Sequence, residues 1–169
     1  MKTIILPGFS LKNKDWLDNI YGRLIEVVPS KAIEWAHWRT GKAETRWIEK
    51  EAKEISLTIQ GPINIIAKSI GTAVATTVLK LKPDYINKII LCGVPINDFI
   101  KGDEKYYKSL KTFPQEKFIC FQNEADNHGG YKEVERFLHS LNHNLLIVSK
   151  PRSDHEYPYP NDFIDFLTE

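Results

Sequence analysis

The sequence predicts an α/β protein in which a mostly parallel six-stranded sheet lies between two layers of helices. Three observations carry this. Six short apolar runs, at residues 3–6, 32–35, 63–67, 88–92, 117–121 and 145–148, have the length and composition of buried strands. Stretches with apolar residues at helical spacing separate them, and strands alternating with helices imply parallel pairing with both faces covered. One strand runs into a helix through a turn built around a single serine, Ser69.

Each element follows from local chemistry. The first run ends at Pro7-Gly8, a turn signal. Trp16, Leu17, Ile20, Leu24 and Val27 then mark a helix, with Asp15 near its start as a cap or dipole partner. Pro29-Ser30 breaks that helix, and residues 32–35 read as the second strand. After a turn at Thr40-Gly41, a helix carries Trp47, Ile48, Ala52, Ile55 and Ile59 and stops at Gly61-Pro62. The third strand leads through Ser69 into a helix with Ile70, Ala73, Val74, Thr77, Val78 and Leu81 on one face. Residues 88–92 form the fourth strand, and residues 96–113 read as one or two short helices. The fifth strand opens into the polar loop 122–130. Val134, Phe137, Leu138 and Leu141 mark the next helix. The sixth strand is followed by loop 149–160 and a last helix carrying Phe163, Ile164 and Leu167. No repeat or linker divides the chain, so residues 1–169 read as one domain.

The stretch Ile63-Asn64-Ile65-Ile66-Ala67-Lys68-Ser69-Ile70-Gly71 organises the rest. A serine on so sharp a turn sits in strained backbone, and the flanking chain segments pass too close for large side chains. Small residues at 67 and 71 meet that demand. The arrangement is a nucleophile elbow, G-x-S-x-G, with alanine for the first glycine. A plain helix cap is the other reading of Ser69.

Composition excludes several classes. The formal net charge is +1, which makes no electrostatic case for nucleic acid or an anionic membrane. No apolar run approaches the roughly 20 residues that cross a bilayer. The apolar N-terminal stretch is too short for a signal peptide. Cys92 and Cys120 lie in strand-like runs, which points to two buried free thiols and a reducing cytoplasm. The sequence sets no oligomeric state. His139 and His143 share a helical spacing, but no third ligand accompanies them, so no metal site is expected.

A serine hydroxyl needs a base to take its proton and a third group to orient that base. In a parallel sheet both belong on loops at the carboxyl edge, beside Ser69. The loop after the fifth strand offers Asp126, with Glu124 as rival; the loop after the sixth offers His155. His128, beside Asp126, and His37 with Trp38, after the second strand, are candidates to line the pocket and touch substrate. Trp16, Trp35 and Trp47 read as core, and Lys68 as a solvated neighbour of the serine.

On these residues the chain resembles the α/β-hydrolase fold family over nearly its whole length. The order Ser69, Asp126, His155 is that family's order. Gln122-Asn123-Glu124-Ala125-Asp126 is similar to its acid loop and Ser153-Asp154-His155-Glu156-Tyr157 to its histidine loop. Leu6-Pro7-Gly8-Phe9-Ser10 resembles its His-Gly-x oxyanion loop, with Pro7 in place of the histidine. The resemblance implies a lidless minimal core with strand order 2-1-3-4-5-6. It implies Ser69 as nucleophile, His155 as general base and Asp126 as orienting carboxylate. The backbone N–H groups of Phe9 and Ile70 would form the oxyanion hole, with Ser10 as the alternative to Phe9. The activity implied is hydrolysis of a small carboxylic ester or thioester, with no metal or organic cofactor. The rival is an interaction module that kept the fold and lost turnover, with Pro7 as its sign. A flavodoxin-like nucleotide binder fits poorly, because the first loop is no G-x-G-x-x-G cradle.

Overall fold

The computed structural model describes all 169 residues. The strands are β1 (Lys2–Leu6), β2 (Ser30–Ala32), β3 (Ile63–Lys68), β4 (Ile86–Cys92), β5 (Phe118–Asn123) and β6 (Leu146–Lys150). The α-helices are α1 (Lys14–Leu24), α2 (Ala36–Thr40), α3 (Trp47–Thr58), α4 (Gly71–Leu81), α5 (Tyr131–Leu141) and α6 (Pro160–Thr168). All six strands pair in parallel, in the order β2-β1-β3-β4-β5-β6, as the sequence predicts.

Side chains on the central strands alternate between two cores, as period-2 geometry requires. Ile4, Leu6, Ile65, Ala67, Ile89, Leu91 and Cys120 face the larger core, under α3, α4, α5 and the 3₁₀ turns of Asp103–Thr112. Ile5, Ile66, Ile90, Cys92, Ile119 and Phe121 face the smaller one, under α1 and α6. β3 is buried along its whole length, which is why it reads as a continuous apolar run. No helix is long and apolar enough to cross a membrane.

Two elements differ from the sequence reading. The second strand is Ser30–Ala32, two residues earlier than expected. It is an edge strand with one neighbour, in register Thr3↔Ser30 and Ile5↔Ala32, so pairing to β1 and not apolarity sets its position. Trp35 is instead fully buried just ahead of α2, a short helix the sequence reading lacked. Residues 96–113 fold as 3₁₀ turns at Ile96–Asp98 and Asp103–Thr112.

Parallel order puts every carboxyl end on one edge. There the loops after β1, β3, β4, β5 and β6 meet, carrying Phe9, Ser69, Gly93, Asp126 and His155. The architecture also disposes of both cysteines. Cys92 and Cys120 are free and buried on β4 and β5. Burial raises both thiols well above their usual range, and the thiolate is the reactive form. A disulfide-exchange reagent such as DTNB will therefore titrate neither thiol in the native protein and both after denaturation.

Candidate active site

β3 ends at Lys68 and α4 begins at Gly71, so Ser69 and Ile70 alone turn the chain. Ser69 has φ 55°, in the left-handed region, which costs a non-glycine residue roughly 1–3 kcal/mol. Its N–H donates to the Cys92 carbonyl at 2.9 Å, and its own carbonyl accepts from the Thr72 N–H at 2.9 Å and the Thr72 hydroxyl at 2.6 Å. Gly71 is needed for the same closeness: a Cβ there would run into the Pro7 carbonyl oxygen and lie 3.0 Å from that of Leu6. The β1 loop thus presses against the start of α4.

Asp126 follows β5 with its side chain fully buried. One oxygen, Oδ2, accepts from His155 Nδ1 at 2.6 Å and from the Tyr157 hydroxyl at 2.6 Å; Oδ1 accepts the His128 N–H at 2.9 Å. Burial by itself would raise this carboxyl. The three hydrogen bonds outweigh it and hold Asp126 below the usual carboxylate range. Glu124, the rival acid, is exposed and makes no bond to His155. Burial, and then the adjacent Asp126 carboxylate, push the Tyr157 hydroxyl far up, so it stays a proton donor.

A carboxylate only accepts hydrogen bonds, so His155 Nδ1 carries a proton and the neutral ring leaves Nε2 as an acceptor. That Nε2 is buried and has no hydrogen-bond partner. Ser69 and His155 line one cavity of about 540 Å³, without a hydrogen bond between them in this state. Phe9, Ser10, Ile70 and His128 line it too. The backbone N–H groups of Phe9, Ser10 and Ile70 donate to no group of the protein. His128 bonds Asp98 through Nδ1 at 2.6 Å, and its ring centroid lies 4.2 Å from that of His155.

The other sequence candidates divide. His37 contributes no surface to this cavity. It lies behind the β1 loop, where its Nε2 bonds the Phe9 carbonyl at 2.7 Å, so the expected substrate contact gives way to a contact with the loop. Trp16 and Trp35 are core, whereas Trp47 lines the cavity. Lys68, read as solvated, is buried. Its ammonium joins Asn13 Oδ1 at 3.0 Å to Glu156 Oε2 at 3.2 Å, tying the β1 loop to the histidine loop across the base of the elbow. His139 bonds the Leu145 carbonyl, and no group of three or more His, Cys, Asp or Glu is placed to hold a metal.

Two residues escaped the sequence reading. Asn123, at the end of β5, donates through Nδ2 to the carbonyls of Asp154 at 2.8 Å and Glu156 at 2.6 Å, so it holds the histidine loop. Gly93 has φ +65°, and a Cβ there would lie 2.5 Å from the Tyr157 ring and 3.0 Å from His155. The signals existed: a polar residue closing an apolar strand, and a glycine before Val94-Pro95. Neither names its partner, because both contacts span more than 30 residues.

No protein-family model matches the sequence, nor does any curated protein. Solved structures do resemble this one. A thioesterase domain from the curacin biosynthetic pathway matches with TM-score 0.70 at 9% identity, covering 99% of this chain and 91% of that one. A meta-cleavage product hydrolase from Pseudomonas fluorescens matches with TM-score 0.72 at 10% identity, covering 99% and 90%. An α/β serine hydrolase without lid, from Xanthomonas campestris, matches with TM-score 0.60 at 16% identity, covering 99% and 78%. This chain has the α/β-hydrolase fold.

Two measurements check the site's internal logic. Tyr157→Phe removes one donor from a buried carboxylate, and bonds to charged groups are worth about 1.5–3 kcal/mol. Asp126 is depressed in the folded state, so its ionisation stabilises the protein above the unfolded carboxyl value, near pH 4, and that stability is lost as pH falls. The variant raises the folded value, so acid unfolding followed by circular dichroism shifts to higher pH. Gly93→Ala forces the Tyr157 and His155 rings to move and lowers stability by roughly 1–3 kcal/mol, read as a drop in thermal midpoint.

Proposed function

We propose that the protein is a serine hydrolase that cleaves a small carboxylic ester or thioester through an acyl-enzyme. The observation that carries this reading is the His155–Asp126 pair. A buried carboxylate 2.6 Å from Nδ1 leaves a proton-accepting Nε2 unpaired, on the wall of the cavity that also holds the strained Ser69. A site that merely capped a helix has no use for such a base.

In the proposed reaction, substrate occupies the cavity and Ser69 Oγ attacks its carbonyl carbon as His155 Nε2 takes the hydroxyl proton. The serine side chain turns to the ring at this step, since catalytic hydrogen bonds often tighten only around substrate. The oxyanion is received by the free N–H groups of Ile70 and of Phe9 or Ser10. Ile70 stands at the start of the 11-residue helix α4, whose dipole favours negative charge there. The carbonyl re-forms, the bond to the leaving oxygen or sulfur breaks, and His155 gives that atom its proton. Water then enters, loses a proton to His155 and attacks the acyl carbon; the proton returns to Ser69 as the acid departs. Asp126 stays ionised throughout and stabilises the imidazolium.

Exposed Ser10, Asp98 and Ile100 on the cavity rim support an open site and a small or surface-presented acyl group. The similarity to a thioesterase domain supports keeping thioesters within the substrate class. The aromatic anchors of the β1 loop answer the one sign of lost turnover, because Pro7 leaves that loop held by other side chains.

The experiment is a panel of p-nitrophenyl esters of rising acyl length, with labelling by a fluorophosphonate probe. The wild type is expected to hydrolyse the short esters and to label. Ser69→Ala abolishes labelling, and Ser69→Ala or His155→Ala lowers kcat by about 10⁴-fold or more. A folded wild type that neither labels nor turns over any ester of the panel points to the interaction module instead.

A further inference from the structure

The loop that carries Phe9 and Ser10 lacks the histidine usual in such loops, yet the carbonyls of Gly8, Phe9 and Ser10 are all occupied. Trp35 Nε1 donates to the Gly8 carbonyl at 2.9 Å. Trp38 Nε1 and His37 Nε2 both bond the Phe9 carbonyl at 2.7 Å. The Ser10 carbonyl accepts from the N–H and the Nδ2 of Asn13, each at 3.0 Å. Asn13 is in turn held by Lys68. The His37 ring also stacks on Phe9, with centroids 4.5 Å apart.

These bonds constrain more than the carbonyls. A peptide unit is planar, and every one in this chain is trans, so C=O and the next N–H point in opposite directions. Holding the Gly8 carbonyl on Trp35 turns the Phe9 N–H away from Trp35. Holding the Phe9 carbonyl on Trp38 and His37 turns the Ser10 N–H away from them. Neither of these two N–H groups finds a partner in the protein, and both residues line the cavity with Ser69. Trp35, His37 and Trp38 contribute nothing to that lining; they reach it through the loop, and Trp35 and His37 also through Trp47, against which both pack edge-on.

We infer that Trp38 and His37, with Trp35 beneath them, are positioning residues: they clamp the β1 loop from behind and aim its free amides at the developing oxyanion. The inference rests on the proposed serine hydrolysis. For His37 it requires the proton on Nε2, since the Phe9 carbonyl can only accept. It also accounts for Pro7: a loop gripped on its carbonyls needs no histidine of its own. Two donors on one acceptor make the clamp redundant, so single losses are partly covered.

The test uses p-nitrophenyl acetate with Trp38→Phe, His37→Ala and the double variant, rates being normalised to sites titrated by the fluorophosphonate probe. Both side chains are half-buried, so the variants are expected to stay folded, which a thermal melt checks. Misplacing an oxyanion donor costs up to about 10²–10³-fold, so the double variant is expected to lose about 10²-fold in kcat and each single variant about 10-fold or less. KM should stay within about twofold, because an oxyanion contact acts on the transition state and not on the bound ester. His37→Gln in the Trp38→Phe background puts an N–H near the lost Nε2 and is expected to recover part of kcat. The inference is overturned by a double variant with kcat within about twofold of wild type, by a loss confined to KM, or by a loss that glutamine leaves unrepaired. In each of those cases Ser69 still labels, so the hydrolase reading stands. A wild type that neither labels nor turns over overturns that reading, and the clamp with it.

Discussion

The left-handed backbone at Ser69 is the constraint on which the rest of the structure depends. A non-glycine residue at φ 55° relaxes unless its neighbours hold it. Here β3, hydrogen-bonded on both sides, fixes the chain before the turn, and α4, buried along most of its length, fixes it after. The Cys92 carbonyl from the adjacent strand holds the amide between them. The same tightness requires Gly71, lets the β1 loop lie against the helix start, and leaves the Ile70 N–H free at the helix terminus. One strained residue therefore brings a hydroxyl, an unpaired amide and the neighbouring loop to one point.

The remaining groups are held by hydrogen bonds to the ends of strands. Asp126 is buried, which alone would favour its neutral form. Tyr157, His155 and the His128 amide reverse that preference and at the same time fix the imidazole. Asn123 grips the backbone on both sides of His155, and Lys68 ties that loop to Asn13 and so to the β1 loop. A buried ammonium between two polar partners is costly to leave unpaired, which makes Lys68 a brace. The cavity wall is thereby assembled from loops that share few sequence neighbours but many side-chain bonds.

Much of this was legible in the chain. Strand order, the elbow at Ser69, and the placing of Asp126 and His155 after the fifth and sixth strands all followed from apolar runs, turn residues and the resemblance they supported. The failures share a cause. The second strand reads late because Ile33 and Trp35 are apolar, and both side chains pack in or against the larger core beyond the strand's end at Ala32. His37 reads as pocket-lining because a histidine near the carboxyl edge has polar atoms to offer, and only the tertiary structure gives them to the Phe9 carbonyl. Lys68 read as solvated because an isolated lysine on average is.

The sequence by itself determined the elements and their order, since period-2 and period-3.6 patterns and turn chemistry are local properties. It also placed the small residues at the sharp turn, because steric exclusion acts between near neighbours along the chain. Only the tertiary structure decided which carboxylate meets His155, which side chains hold the β1 loop, and that Lys68 lies inside. Those outcomes depend on contacts 20 to 90 positions apart, and side-chain hydrogen bonds, unlike hydrophobic periodicity, leave no repeating trace in a sequence.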